Sequence, residues 1–146
     1  TPGDVTDYDF IKAQISKDLD AFEVKAIGYD PWNATQLSID LAAEEAPMVT
    51  VRQGFVSMNT PLKECARLIM KGTAALPLLR HGGNEVARWM TDKMRVATDA
   101  AGNVKPDKSK SMDKIDGWSA LVTAMAVAMP GVEDEKVPEP FVLWGN

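Results

Sequence analysis

A chain of 146 residues with 45% hydrophobic content fits one globular domain with a sizeable core. Its net charge of -5 excludes a protein that grips nucleic acid by overall charge, so any such contact must be local. The single cysteine, Cys65, excludes an internal disulfide and a thiolate zinc cluster, and the lack of a long apolar run or signal-peptide pattern predicts a soluble, cytosolic protein. The opening Thr1-Pro-Gly-Asp4 reads as the interior of a longer protein.

Thr6 is the expected cap of a first helix, in which Tyr8, Ile11, Ile15 and Leu19 recur at spacings of three and four. Val24 to Tyr29 reads as a strand containing Gly28, and Asp30 ends it. Asn33 is a natural cap for the next helix, which carries Leu37 and Leu41 on one face and stops before Pro47, because proline disfavours helical geometry in the residue preceding it. Met48 to Val51 then supplies a second strand. Strand, helix and strand in so short a stretch predict a βαβ unit with parallel strands and a right-handed crossover.

Thr60 and Pro61 are expected to open a third helix through Leu62, Ala66, Ile69 and Met70, closed by Gly72. Cys65 falls in this pattern as a small core residue. Pro77 and the stretch Arg80 to Asn84 read as a loop, followed by a short helix around Val86, Trp89 and Met90. Met94 to Thr98 leads to the turn Asp99 to Asn103, which can close a hairpin onto Val104. Lys105 to Lys114 reads as a polar, mobile loop. The final helix is expected from about Asp113 to Met129, with Ile115, Leu121, Val122, Met125 and Met129 inward, ending at Pro130-Gly131. The domain then covers residues 1–132, and 133–146 form an acidic, proline-containing tail in which Phe141 and Trp144 are available for docking.

Asp30 is the most informative residue. Ligands and catalytic groups in open α/β sheets gather outside the carboxyl ends of strands, which is where this carboxylate falls. Asp116, in Lys114-Ile-Asp-Gly117, stands in the first turn of the last helix. If both elements pack on one sheet, the two carboxylates can approach each other on hard divalent cations, since Mg²⁺ uses one or two carboxylates plus water and phosphate oxygens. A two-ion site, with ions about 3.5–4 Å apart, would activate water and stabilise the leaving oxygen of a phosphodiester. Each residue alone also has a plainer role, Asp30 as a turn residue and Asp116 as a first-turn charge. Lys105, Lys108, Lys110 and Lys114 precede Asp116 and either contact phosphates beside the metals or form a solvated loop. His81, the one histidine, sits with Asn84 in a glycine-rich loop and either meets a phosphate or caps the next helix. The phosphate-loop pattern of ATPases does not occur in the chain.

Several stretches together resemble one family. They are Thr1-Pro-Gly-Asp4, Ile27-Gly-Tyr-Asp-Pro-Trp-Asn-Ala34, Val51-Arg-Gln-Gly54 with Ser57-Met58, His81-Gly-Gly-Asn84 with Arg88-Trp-Met90, and Asp99 to Ser111 leading to Lys114-Ile-Asp-Gly117. They resemble the C-terminal nuclease domain of the large terminase subunit of tailed double-stranded-DNA phages, over nearly the whole chain to about Met129. The resemblance implies an α/β chain with a partial ribonuclease H-like fold, a mixed sheet flanked by helices. It also implies a Mg²⁺- or Mn²⁺-dependent endonuclease that cuts concatemeric phage DNA, working with an N-terminal ATPase domain, the small terminase subunit and the portal. Asp30 matches the second metal-binding carboxylate of the family and Asp116 the last. The first would lie upstream of Thr1 together with the first central strands, so the fragment is expected to be truncated, impaired in cleavage and prone to self-association. Glu85 stands where related sequences often have proline, and Trp118 where a small aliphatic residue is common. The alternatives are a non-catalytic fragment that docks to other packaging components, or a ribonuclease H-like resolvase or transposase.

Overall fold

In the computed structural model the described residues are 6–32, 35–111, 113–129 and 141–142. They divide into two units, residues 1–51 and 52–146.

In the first unit, helix α1 spans Tyr8–Ala21. Its cap is Asp7 rather than Thr6: the Asp7 carboxylate accepts from the Phe10 backbone N–H at 3.0 Å. Both residue types cap well, but an anion also complements the partial positive charge of a helix start. Lys12 bridges to Glu44 at 2.8 Å and so ties α1 to the chain just beyond the next helix. Strand β1, Ile27–Tyr29, runs parallel to β2, Met48–Thr50, with Gly28 opposite Val49. Helix α2, Thr35–Ala43, crosses between them, giving the expected βαβ order; its expected cap, Asn33, lies outside the described residues. Beyond α2 the backbone turns through Glu45 at a φ of 62°, and the Ala46 N–H returns to the Leu41 carbonyl at 3.0 Å. Leu41, Ala46 and Val51 form the buried apolar centre, and Ser38 is buried with them.

The second unit is organised on helix α3, Phe55–Lys71. It begins with Gly54 as cap, six residues before the expected proline start. Pro61 therefore stands inside the helix, where it cannot donate to the Ser57 carbonyl. Its ring is instead buried with Met58, Leu62, Cys65 and Leu68, a stripe at helical spacing. Burial of that stripe offsets the lost hydrogen bond, so tertiary packing overrides a local stop signal. Burial also pushes the Cys65 thiol up to about 12, which agrees with a core residue rather than a nucleophile.

The chain leaves α3 at Gly72, where a β-carbon would come within 2.9 Å of the Leu78 nitrogen and 3.1 Å of the Leu68 carbonyl. Leu79–Arg80 form β3, which pairs in parallel with β6, Phe141–Val142. Arg80 is thus in a strand rather than a loop, and Phe141 pairs through its backbone. Helix α4, Glu85–Lys93, follows. Strands β4, Val96–Thr98, and β5, Val104–Pro106, make the expected antiparallel hairpin. In its turn, Asp99 accepts from the Ala101 and Asn103 backbone N–H groups at 2.9 and 2.8 Å, and Gly102 takes a φ of 79° that favours glycine. Asn59 of α3 accepts from the Val104 N–H at 3.0 Å, holding the hairpin to the helix.

Helix α5, Asp116–Ala128, starts three residues later than the periodicity predicts, with buried Ile115 in the cap position. Its buried residues are Trp118, Ser119, Val122, Thr123 and Met125, whereas Leu121 and Met129 are only half-buried. Trp118 donates its indole N–H to Thr91 of α4 at 3.0 Å. Helices flanking small parallel and antiparallel strand pairs give the mixed α/β class.

Candidate metal and nucleic-acid site

Asp30 is the residue that follows β1. Its Oδ1 accepts from the Trp32 backbone N–H at 3.2 Å, so the carboxylate also shapes the turn out of the strand. Position and turn role coexist: the hydrogen bond fixes one oxygen at the carboxyl end of the strand.

Asp116 is the first residue of α5. Its Oδ1 accepts from the Lys108 ammonium at 2.8 Å, with the two side chains 68% and 51% exposed. That hydrogen bond, with the charges of Lys108 and Lys114, holds the Asp116 carboxyl below the ordinary carboxylate value. Lys108, Ser111, Asp113, Lys114 and Asp116 line an open depression of about 510 Å³. A carboxylate oxygen that already holds a cation at its rim is a hard donor of the kind Mg²⁺ and Mn²⁺ take. Among the described residues no three His, Cys, Asp or Glu side chains gather as a metal cage.

The four lysines have different environments. Lys105 lies in β5 rather than in a mobile loop, with its ammonium 5.0 Å from the centre of the Phe55 ring. Lys110 reaches Asp107 at 3.7 Å while remaining 75% exposed. Lys114 forms no ion pair among the described residues and faces the depression.

Asp107 is the residue that sequence reading passes over. It is 8% exposed and accepts from the Ser109 N–H at 3.0 Å, the Ser109 hydroxyl at 2.6 Å and the Lys110 N–H at 3.2 Å. Its own N–H donates to the Arg95 carbonyl at 2.8 Å, and its carbonyl accepts from the Ser111 hydroxyl at 2.7 Å. The lysine segment is therefore fastened to the hairpin at this point. Asp followed two residues later by Ser is the local pattern that signals such a turn. The Ser109 hydroxyl, then the two backbone donors, hold the Asp107 carboxyl below its ordinary 3.8. A depressed carboxylate contributes stability that is present above the unfolded-state value and is lost as pH falls through the folded-state value. Asp107→Asn is accordingly expected to be less stable than wild type at pH 7, with the gap closing below pH 3.8 in urea titrations.

Asn84 caps α4, its Oδ1 accepting from the Ala87 N–H at 2.9 Å. His81 lines a separate apolar cavity of about 640 Å³ with Leu68, Leu79, Met90, Trp118 and Leu121. Its Nδ1 is buried and has no hydrogen-bond partner among the described residues.

Residues 3–131 match the family described as terminase large subunit, endonuclease domain. The chain is 31% identical to the large terminase subunit of Enterobacteria phage HK97, across 92% of this chain and 26% of that protein. It is 34% identical to protein YmfN of Escherichia coli strain K12, across 99% of this chain and 31% of that protein. The crystal structure of the HK97 bacteriophage large terminase aligns with a TM-score of 0.76 at 31% identity, covering 87% of this chain and 26% of the other. The chain thus spans between a quarter and a third of the length of the relatives it matches. The motif resemblance and the ribonuclease H-like, mixed α/β fold class both hold. The chain belongs to the terminase large subunit endonuclease domain family.

Proposed function

We propose that this chain supplies the endonuclease part of a phage or prophage DNA-packaging terminase and cuts concatemeric double-stranded DNA with Mg²⁺ or Mn²⁺. The observation that carries this is the family match across residues 3–131, within which Asp30 stands at the carboxyl end of a strand and Asp116 at the first position of a helix. Bound divalent ions supply a nucleophile at neutral pH and charge stabilisation for the leaving oxygen. Asp30 and Asp116 would each offer carboxylate oxygens to such ions. Lys105, Lys108, Lys110 and Lys114 give a chain of net charge -5 its locally basic surface for phosphates. An ATPase domain, a small terminase subunit and a portal are the partners that fit this role. The described residues contain no helix long and apolar enough to cross a membrane. The terminase name of the HK97 relative supports packaging over a resolvase or transposase role.

Mn²⁺-dependent plasmid cleavage by the intact gene product tests the assignment; cleavage that persists in chelator overturns it. The DNA surface is tested by salt titration. Each phosphate contact contributes a log-log slope of roughly -0.9 on duplex DNA, so Lys110→Ala with Lys114→Ala is expected to reduce the slope's magnitude by about 2. An unchanged slope would place the DNA surface elsewhere.

A further inference from the structure

The contact between Lys108 and Asp116 joins a residue proposed for DNA to a residue proposed for metal. Three observations bear on what this does. The ammonium and carboxylate meet at 2.8 Å on the wall of an open depression, where Lys114 adds a second positive charge. The backbone beneath Lys108 is fixed, because its neighbour Asp107 is held by Ser109, Lys110, Arg95 and Ser111. Any change of partner is therefore a swing of the Lys108 side chain and needs no rearrangement of the loop. The pair is also exposed, with 51% and 68% of the two side chains open to solvent, so it is weakly held and easily exchanged.

We infer that Lys108 is an internal stand-in for the divalent cation: it occupies Asp116 when no cation is bound and is released to the DNA backbone when one binds. This rests on the assignment of Asp116 as a metal ligand. Lysine and aspartate together carry no net charge. A divalent ion on Asp116 leaves that carboxylate site with one positive charge and frees a second on Lys108, so the local field facing a phosphate changes by two charges. Repulsion between ion and ammonium drives the release in the same direction. By linkage, DNA that captures Lys108 in turn favours cation binding at Asp116.

The test combines calorimetric Mn²⁺ titration with binding of a short DNA duplex in chelator. Lys108→Gln is expected to tighten Mn²⁺ binding about 2- to 5-fold, because an exposed competitor is removed. Without divalent ions, Asp116→Asn is expected to steepen the salt slope for DNA by roughly 0.9, and to do so only when Lys108 is present. The double variant Asp116→Asn with Lys108→Gln separates this from the general loss of a negative charge. Unchanged Mn²⁺ affinity in Lys108→Gln, or an Asp116→Asn effect that is independent of residue 108, overturns the inference and leaves the metal assignment intact. A wild-type protein that takes up no Mn²⁺, or an Asp116→Asn protein that takes it up equally well, overturns the metal assignment and the inference with it.

Discussion

Trp118→Ala is expected to lower the unfolding free energy by about 3–5 kcal/mol, the usual cost of removing a buried aromatic side chain. Trp118 is 7% exposed, and its indole N–H donates to Thr91 at 3.0 Å, so it joins α5 to α4. Trp118 already lines the apolar cavity, so truncation would enlarge a space of about 640 Å³ rather than let neighbours close on it. A domain of ordinary stability has only about 5–15 kcal/mol to lose. Urea denaturation followed by circular dichroism measures the change. Trp118→Phe separates the terms, since it keeps most of the volume and removes the hydrogen bond, whose net worth is about 0.5–1.5 kcal/mol. An alanine variant within about 1 kcal/mol of wild type would contradict this packing of Trp118 between α5 and α4.

The second large effect concerns the carboxylates. In the intact gene product, Asp30→Asn and Asp116→Asn are each expected to reduce Mn²⁺-dependent plasmid cleavage by at least about 100-fold, since even outer partners of metal ligands typically cost 10- to 100-fold. Asparagine preserves shape and can still accept a hydrogen bond at position 30, so stability should change little. Parallel thermal denaturation distinguishes the two roles. A large loss of stability with cleavage retained would make Asp30 a turn residue only, and its bond to the Trp32 N–H would then be its whole purpose.

The sequence announced those parts of the fold whose signals are local. The βαβ order follows from strand-like runs around α2, and the hairpin from Asp99 and Gly102, whose turn chemistry needs no distant partner. Pro61 misleads because its cost to α3 is outweighed by burial with Met58 and Leu62, which only the assembled unit supplies. Leu79–Arg80 do not read as a strand because their partner is at residues 141–142, and a two-residue pairing leaves no periodicity. Trp118 stands out in the sequence only as a departure from the family pattern, whereas its packing against α4 explains its size. The places of Asp30 at a strand end and of Asp116 at a helix start were readable from local signals. The contact between Lys108 and Asp116 was not, because it depends on the turn that Asp107 builds between them.

The five-residue turn from Asp99 to Asn103 also bears on the order in which the protein assembles. A hairpin closed by local bonds forms in about 1–10 μs, well before pairings that must first close long loops. The lysine segment is fastened to that hairpin through Asp107 and Arg95, so its scaffold belongs to the earliest structure in the second unit. The β3–β6 pair joins residue 79 to residue 141 and must wait for the chain between them, so among the described pairings it is expected to form last and open first. Native-state hydrogen exchange would rank the two accordingly, with the Val104 N–H bonded to Asn59 protected longer than the amides of Leu79 and Arg80.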